Sequence, residues 1–187
     1  MRDDSNDAAG ARQEPALLLV LLAGIAAVLS FSATSGEFLD DPDVDGLLVA
    51  VLAFLGGGIY GFAGYWLGGL ALYLGVRGAK GEGTYRQARH LLAYALAPLA
   101  LSLLVVWPIR LAVFGSDNFR TGTTDGGAGE WAFTAVSYVF AFWSLLLLAI
   151  GVRELHGWTP IRTIGAILLA VMALLGLAVV ALVIGAG

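Results

Sequence analysis

The chain has 187 residues, 59% of them hydrophobic and only 13% charged, and its mean hydropathy is +0.85. A soluble domain carries about 25% charged residues, and a compact soluble chain of this length could not keep so much apolar side chain out of water. A net charge of −4 argues against a nucleic-acid partner, and the absence of cysteine removes any disulfide framework or thiolate metal site.

Residues 1–14 are polar and small, lack apolar periodicity, and read as a disordered cytoplasmic tail. The first apolar run, 15–33, opens on Pro15, which suits a first helical turn, and is just long enough to cross a bilayer. A cleaved signal peptide fits this run poorly. Acids outnumber arginines in the segment before it, where a signal n-region is positive. Residues 34–46 form an acidic loop. Its Asp40-Asp41-Pro42-Asp43-Val44-Asp45-Gly46 invites comparison with a calcium loop, but Pro42 and the missing closing glutamate break that frame. A solvated loop is the expectation.

The second run, 47–76, exceeds the length a membrane needs and is too short for two crossings. One tilted helix, extended beyond the bilayer or bent at Gly56-Gly57-Gly58, accommodates it. Its glycines at Gly57 and Gly61, then Gly64 and Gly68, form a small-xxx-small pattern that lets another helix approach closely. Residues 77–90 hold Arg77, Lys80, Arg86 and Arg89. The third run, 91–114, contains Pro98 and Pro108, and Pro98 predicts a kink by freeing the Tyr94 carbonyl. A polar, turn-prone stretch, 115–130, leads to the fourth run, 131–152. Residues 153–162 link it to the fifth, 163–186. The fold class is therefore all-α, a polytopic membrane protein with a five-transmembrane-helix bundle in one membrane domain, 15–186.

Basic residues gather on the cytoplasmic side of membrane proteins. With the N-terminus inside, Arg2, Arg12, Arg77, Lys80, Arg86, Arg89, Arg153 and Arg162 all lie in the cytoplasm, and Arg110 and Arg120 outside. Five crossings then place the C-terminus outside. Trp107 and Trp131 fall where an outer aromatic belt is expected, and Trp158 near the inner face.

No Asp, Glu, Lys or Arg lies deep inside a span, which weighs against an ion-coupled pump or transporter. A polar groove lined by Tyr60, Tyr65, Tyr94, Ser102, Thr134, Ser137 and Tyr138 remains open, although such residues usually hydrogen-bond between helices. Neither histidine lies in a span, and both the nucleophile-elbow and HExxH patterns are absent, so no enzyme is expected. Polar groups concentrate at the cytoplasmic face. Glu82, Arg86 and His90 are spaced four apart, so a helix there places all three on one side, with Glu154 and His156 in the other loop. These five form the candidate binding set. Two histidines are a thin metal set, so a salt-bridged helix entry meeting lipid headgroups is preferred to a metal site, and no cofactor is expected.

The block from Gly81-Glu82-Gly83-Thr84-Tyr85-Arg86-Gln87-Ala88-Arg89 into Leu92-Ala93-Tyr94-Ala95-Leu96-Ala97-Pro98 resembles the Yip (Ypt-interacting protein) domain family in its prokaryotic branch. Ile150-Gly151-Val152-Arg153-Glu154-Leu155-His156-Gly157 looks like that family's second signature, and the resemblance covers about 47–186. It implies five helices with a cytoplasmic N-terminus. In eukaryotic members it also implies links to Rab-type GTPases and vesicle traffic, through a longer N-terminal region than this chain's.

The expected function is a non-enzymatic scaffold or membrane-organising, trafficking-type factor in the cell membrane, acting through its cytoplasmic loops. Expected partners are membrane lipids and a membrane or cytoplasmic protein, with a homo-oligomer left open. The alternative is a small permease or transporter accessory for an uncharged solute, using a cavity between the second, third and fourth helices.

Overall fold

The computed structural model describes residues 14–35, 46–119 and 127–185. The expectations for the N-terminal tail with Arg2 and Arg12, the acidic loop with Asp40 to Asp45, and Arg120 lie outside the described residues. Helix accounts for 93% of what is described, and no strand occurs among those residues. The elements in order are α1 (Glu14–Ser35), α2 (Gly46–Ala63), a π-helical turn (Gly64–Gly68), α3 (Gly69–Gly78), α4 (Tyr85–Ala95), α5 (Ala97–Phe114), a 3-10 turn (Gly115–Phe119), α6 (Ala128–His156) and α7 (Pro160–Gly185). Five helical stretches are long and apolar enough to cross a membrane. Their outward side chains include Leu104, Phe142, Leu146, Leu168 and Val179, all exposed. Such a surface suits lipid and not water, and helices satisfy their backbone groups without water's help. The chain is a multi-pass membrane protein.

The described residues pack as two compact units. The first holds the described residues up to Phe62 together with Leu96–Ser144; the second holds Ala63–Ala95 and the chain from Leu145 onward. Two of the three boundaries coincide with backbone irregularities, the π-helical turn that begins at Gly64 and the break at Leu96.

In the first unit α1 packs on α5. Against α2, a Cβ on Gly24 would overlap the Gly57 carbonyl, and one on Gly61 would lie 2.6 Å from the Val20 carbonyl oxygen, so the α1–α2 seam is built by absent side chains. Trp107 stacks on Phe119 at 6.3 Å beside Val49. Arg110 is buried and donates from Nε to Asn118 Oδ1 at 2.7 Å.

In the second unit α3 packs against α4 and α7. Leu72, Val76, Leu148, Val152, Trp158, Ala166 and Ala170 form its core. Here too glycine sets the spacing: a Cβ on Gly75 would overlap the Ala166 carbonyl, and one on Gly151 would overlap the Leu91 side chain.

Four sequence expectations change. The long second run is irregular at Gly64–Gly68 rather than at Gly56–Gly58, which stays α-helical. Pro98 does not kink a continuous helix. The helix ends at Ala95, and Pro98 sits in the first turn of α5, where its missing N–H has no helical partner to lose. Glu82 does not share a helix face with Arg86 and His90, because the helix begins only at Tyr85. Thr84 caps it: Gln87 N–H donates to Thr84 Oγ1 at 3.2 Å, and Thr84 N–H donates to Gln87 Oε1 at 2.8 Å. This is the reciprocal arrangement of a capping box. Finally, Trp107 and Trp158 are buried, not belt residues, while Trp131 is exposed.

Candidate functional site

The candidate site lies in the second unit, where two short connections join helix ends. The first begins as α3 stops. Lys80 N–H donates to the Arg77 carbonyl at 2.9 Å and Gly81 N–H to the Val76 carbonyl at 2.8 Å, the paired bonds of a Schellman ending. That ending needs a left-handed residue after the helix, a place normally taken by glycine; here it is Lys80, with φ of 59°. The second connection, Gly157 to Thr159, ends α6 in a similar way. Gly157 has φ of 61°, and Trp158 N–H donates to the Arg153 carbonyl at 3.2 Å.

Side chains then bind the two connections together. Arg162 Nη2 donates to the carbonyls of Ala79 and Lys80 at 2.9 and 3.0 Å, and its guanidinium lies 4.3 Å over the Trp158 ring. Trp158 lies against Gly81, where a Cβ would come within 2.6 Å of the indole. His156 Nε2 lies 2.7 Å from the Glu82 carbonyl oxygen, and Nδ1 lies 2.9 Å from that of Val152. The imidazole donates to one or the other according to its tautomer, and to both as imidazolium. Its ring stands 4.6 Å from that of Trp158.

Of the five candidates from sequence, the structure brings together His156 and Glu82, the latter through its main chain. The Glu82 carboxylate is left outward. The side chains of Arg86 and Glu154 are exposed, and neither makes a hydrogen bond or ion pair among the described residues; the same holds for the side chains of Lys80 and Arg153. His90 turns away from this set. It is half-buried against Tyr65, with ring centroids 6.5 Å apart, and its Nε2 is buried without a partner. The cavity beneath His156, Gly83 and Gln87 holds about 10 Å³, roughly the volume of one water probe.

The helix-packing candidates divide. Gly57 and Gly61 lie against Ile25 and Val20, and Gly68 against Leu92, whereas a Cβ at Gly64 would meet nothing within 4 Å. Tyr94 is exposed and Pro98 buried.

Sequence reasoning missed Arg89. Its guanidinium carbon stands 3.9 Å from the Trp66 ring centroid, 4.8 Å from Tyr85 and 5.1 Å from Tyr65. The successive residues Tyr65 and Trp66 both reach it from the π-helical turn, and Tyr85 closes the box by donating its hydroxyl to the Trp66 carbonyl at 2.8 Å. Gly69 makes room for the arginine stem: a Cβ there would lie 3.1 Å from Arg89 Cα. The available signal was limited to two adjacent aromatics between glycines, Gly64-Tyr65-Trp66-Leu67-Gly68, inside a long apolar run.

The first unit carries a separate cavity of about 250 Å³. Ser30 of α1, Ser102 and Arg110 of α5, and Thr134, Ser137 and Tyr138 of α6 line it. Ser102, Thr134, Ser137 and Tyr138 belong to the groove expected from sequence; Tyr65 is buried in the second unit instead.

A family model for the Yip1 domain matches residues 9–183. No curated protein and no solved structure matches the chain. The family match takes in α1, which the two sequence motifs left uncovered, and it reaches into every helical stretch described above. The chain belongs to the Yip1 domain family.

Proposed function

We propose that this chain is a non-enzymatic scaffold of the cell membrane that recruits a protein partner through the surface formed by residues 79–84 and 157–159 with the adjoining ends of α4 and α6. In this reading the N-terminus and both connections face the cytoplasm, following the distribution of basic residues.

One observation carries the proposal. The backbone of the two connections is fixed by Arg162, His156 and Trp158, while the side chains of Lys80, Glu82, Arg86, Arg153 and Glu154 project from it with no partner among the described residues. Fixed backbone lowers the entropy lost on binding, and unpaired charges of both signs supply the specificity of a polar contact. The cavity of about 10 Å³ beneath the surface is too small for a substrate, which favours recognition over chemistry.

Co-purification from native membranes tests the proposal, with an Arg86→Ala, His156→Ala double variant alongside the wild type. A partner retained by the wild type and lost from the variant is the expected result. Equal recovery of every bound protein removes the assignment.

A second reading rests on the cavity in the first unit. Its volume of about 250 Å³ and its ring of hydroxyls suit a small polar solute, favouring a permease whose cavity lies between the first, third and fourth spans rather than the second, third and fourth. Liposomes carrying the pure protein that stay impermeable to a broad panel of neutral solutes would eliminate it.

A further inference from the structure

We propose that Arg89, held in the box of Tyr65, Trp66 and Tyr85, anchors a binding site for a phosphate oxyanion, supplied by a phospholipid headgroup. This goes beyond the partner surface and centres on Arg89 and its three rings, with Arg86 the one side chain shared between the two.

The rings account for the cation but not for its donors. A guanidinium carbon 3.9 Å from the Trp66 centroid is at stacking distance, and stacking supplies no acceptor for the in-plane N–H groups. Arg89 makes no side-chain hydrogen bond and no ion pair among the described residues, and its Nε is buried without a partner. A charged group partly withdrawn from water with its donors unmet is costly, and an oxyanion relieves that cost. The planar fork of donors suits the paired oxygens of a phosphate better than a single carbonyl.

The surroundings favour a lipid as the source. Arg89 is the fifth residue of a helical stretch apolar enough to span a membrane, Tyr85–Phe114, which puts it near the level of the headgroups. Trp66 in the box is half exposed, and an amphipathic aromatic ring is stable at that level. Arg86 lies one turn before Arg89 on α4 and adds a second cation whose side chain has no hydrogen bond or ion pair among the described residues. The geometry is also built, not incidental. The π-helical turn presents Tyr65 and Trp66 together, Tyr85 is fixed to the Trp66 carbonyl, and Gly69 leaves space for the arginine stem.

Native mass spectrometry of the full chain in a neutral detergent tests this, titrating phosphatidylglycerol, diacylglycerol with the same tails, and inorganic phosphate. Phosphatidylglycerol is expected to bind the wild type and to bind Arg89→Gln about tenfold or more weakly, with diacylglycerol binding no better than background. Arg89→Lys keeps the charge and the stem but loses the fork, so its affinity also falls; this variant carries the test where Arg89→Gln does not fold. Inorganic phosphate that binds the wild type as tightly as the lipid supports the oxyanion site with a soluble source; tighter phosphatidylglycerol supports the lipid. Diacylglycerol binding as well as phosphatidylglycerol, or wild-type affinity in Arg89→Lys, overturns the proposal. Partner capture by the 79–84 surface is a separate readout, so either idea fails without the other.

Discussion

His156 reaches across 74 residues of sequence to the main chain of Glu82, with Nε2 2.7 Å from its carbonyl oxygen. The contact involves the backbone of Glu82 and not its carboxylate, so the two residues are unequal under mutation. His156→Ala is expected to lower stability by about 1 kcal/mol and to speed amide exchange at Gly83 and Thr84. Glu82→Ala is expected to leave both unchanged. Thermal unfolding in detergent with hydrogen exchange measures the pair, and equal effects of the two variants would contradict the backbone contact.

Lys80 holds a left-handed conformation, φ of 59°, at the Schellman ending of α3. A side chain there costs about 1 kcal/mol or more that glycine avoids. Lys80→Gly is therefore expected to raise the unfolding midpoint, and Lys80→Val, β-branched, to lower it. A midpoint that falls in Lys80→Gly would mean that the lysine side chain contributes contacts outweighing its strain.

Two glycines of one helical stretch separate packing from spacing. A Cβ at Gly75 would overlap the Ala166 carbonyl of α7, while one at Gly64 meets nothing within 4 Å. Gly75→Ala should destabilise by about 1–3 kcal/mol through overpacking, and Gly64→Ala should stay within about 0.5 kcal/mol of wild type. Denaturant or thermal unfolding of the purified variants resolves the difference.

The chain has no cysteine, so single cysteines report membrane sidedness without background. Lys80→Cys and Arg153→Cys, both at exposed positions, should resist an impermeant maleimide in intact cells and react in inverted vesicles. Ala128→Cys at the start of α6, also exposed, should show the opposite pattern. Reversal of both results would place the proposed partner surface outside the cell.

The helices were legible because lipid imposes a simple rule: long apolar runs must be helical to satisfy their own backbone. What joins them was less legible. Glu82, Arg86 and His90 have the spacing of one helix face, yet Gly83 at φ of 150° and the Thr84 capping box start the helix after Glu82. Gly57 and Gly64 belong to the same repeating pattern, but only Gly57 meets another helix, since spacing does not say which face has a neighbour. Pro98 suggests a kink from sequence because its effect depends on where the helix begins, and the helix begins at Ala97, one residue before it. Arg89 was invisible as a special residue, because its nearest ring, Trp66, lies 23 positions earlier and on another helical stretch.

The measurement that bears most directly on the scaffold is site-specific photocrosslinking in native membranes, with the probe at Lys80 or Arg153 and a lipid-facing control at Leu168. The account predicts an adduct to the same protein from both polar positions, and none from Leu168. Probes at Lys80 and Arg153 that yield no protein adduct, or the same adducts as Leu168, would contradict it.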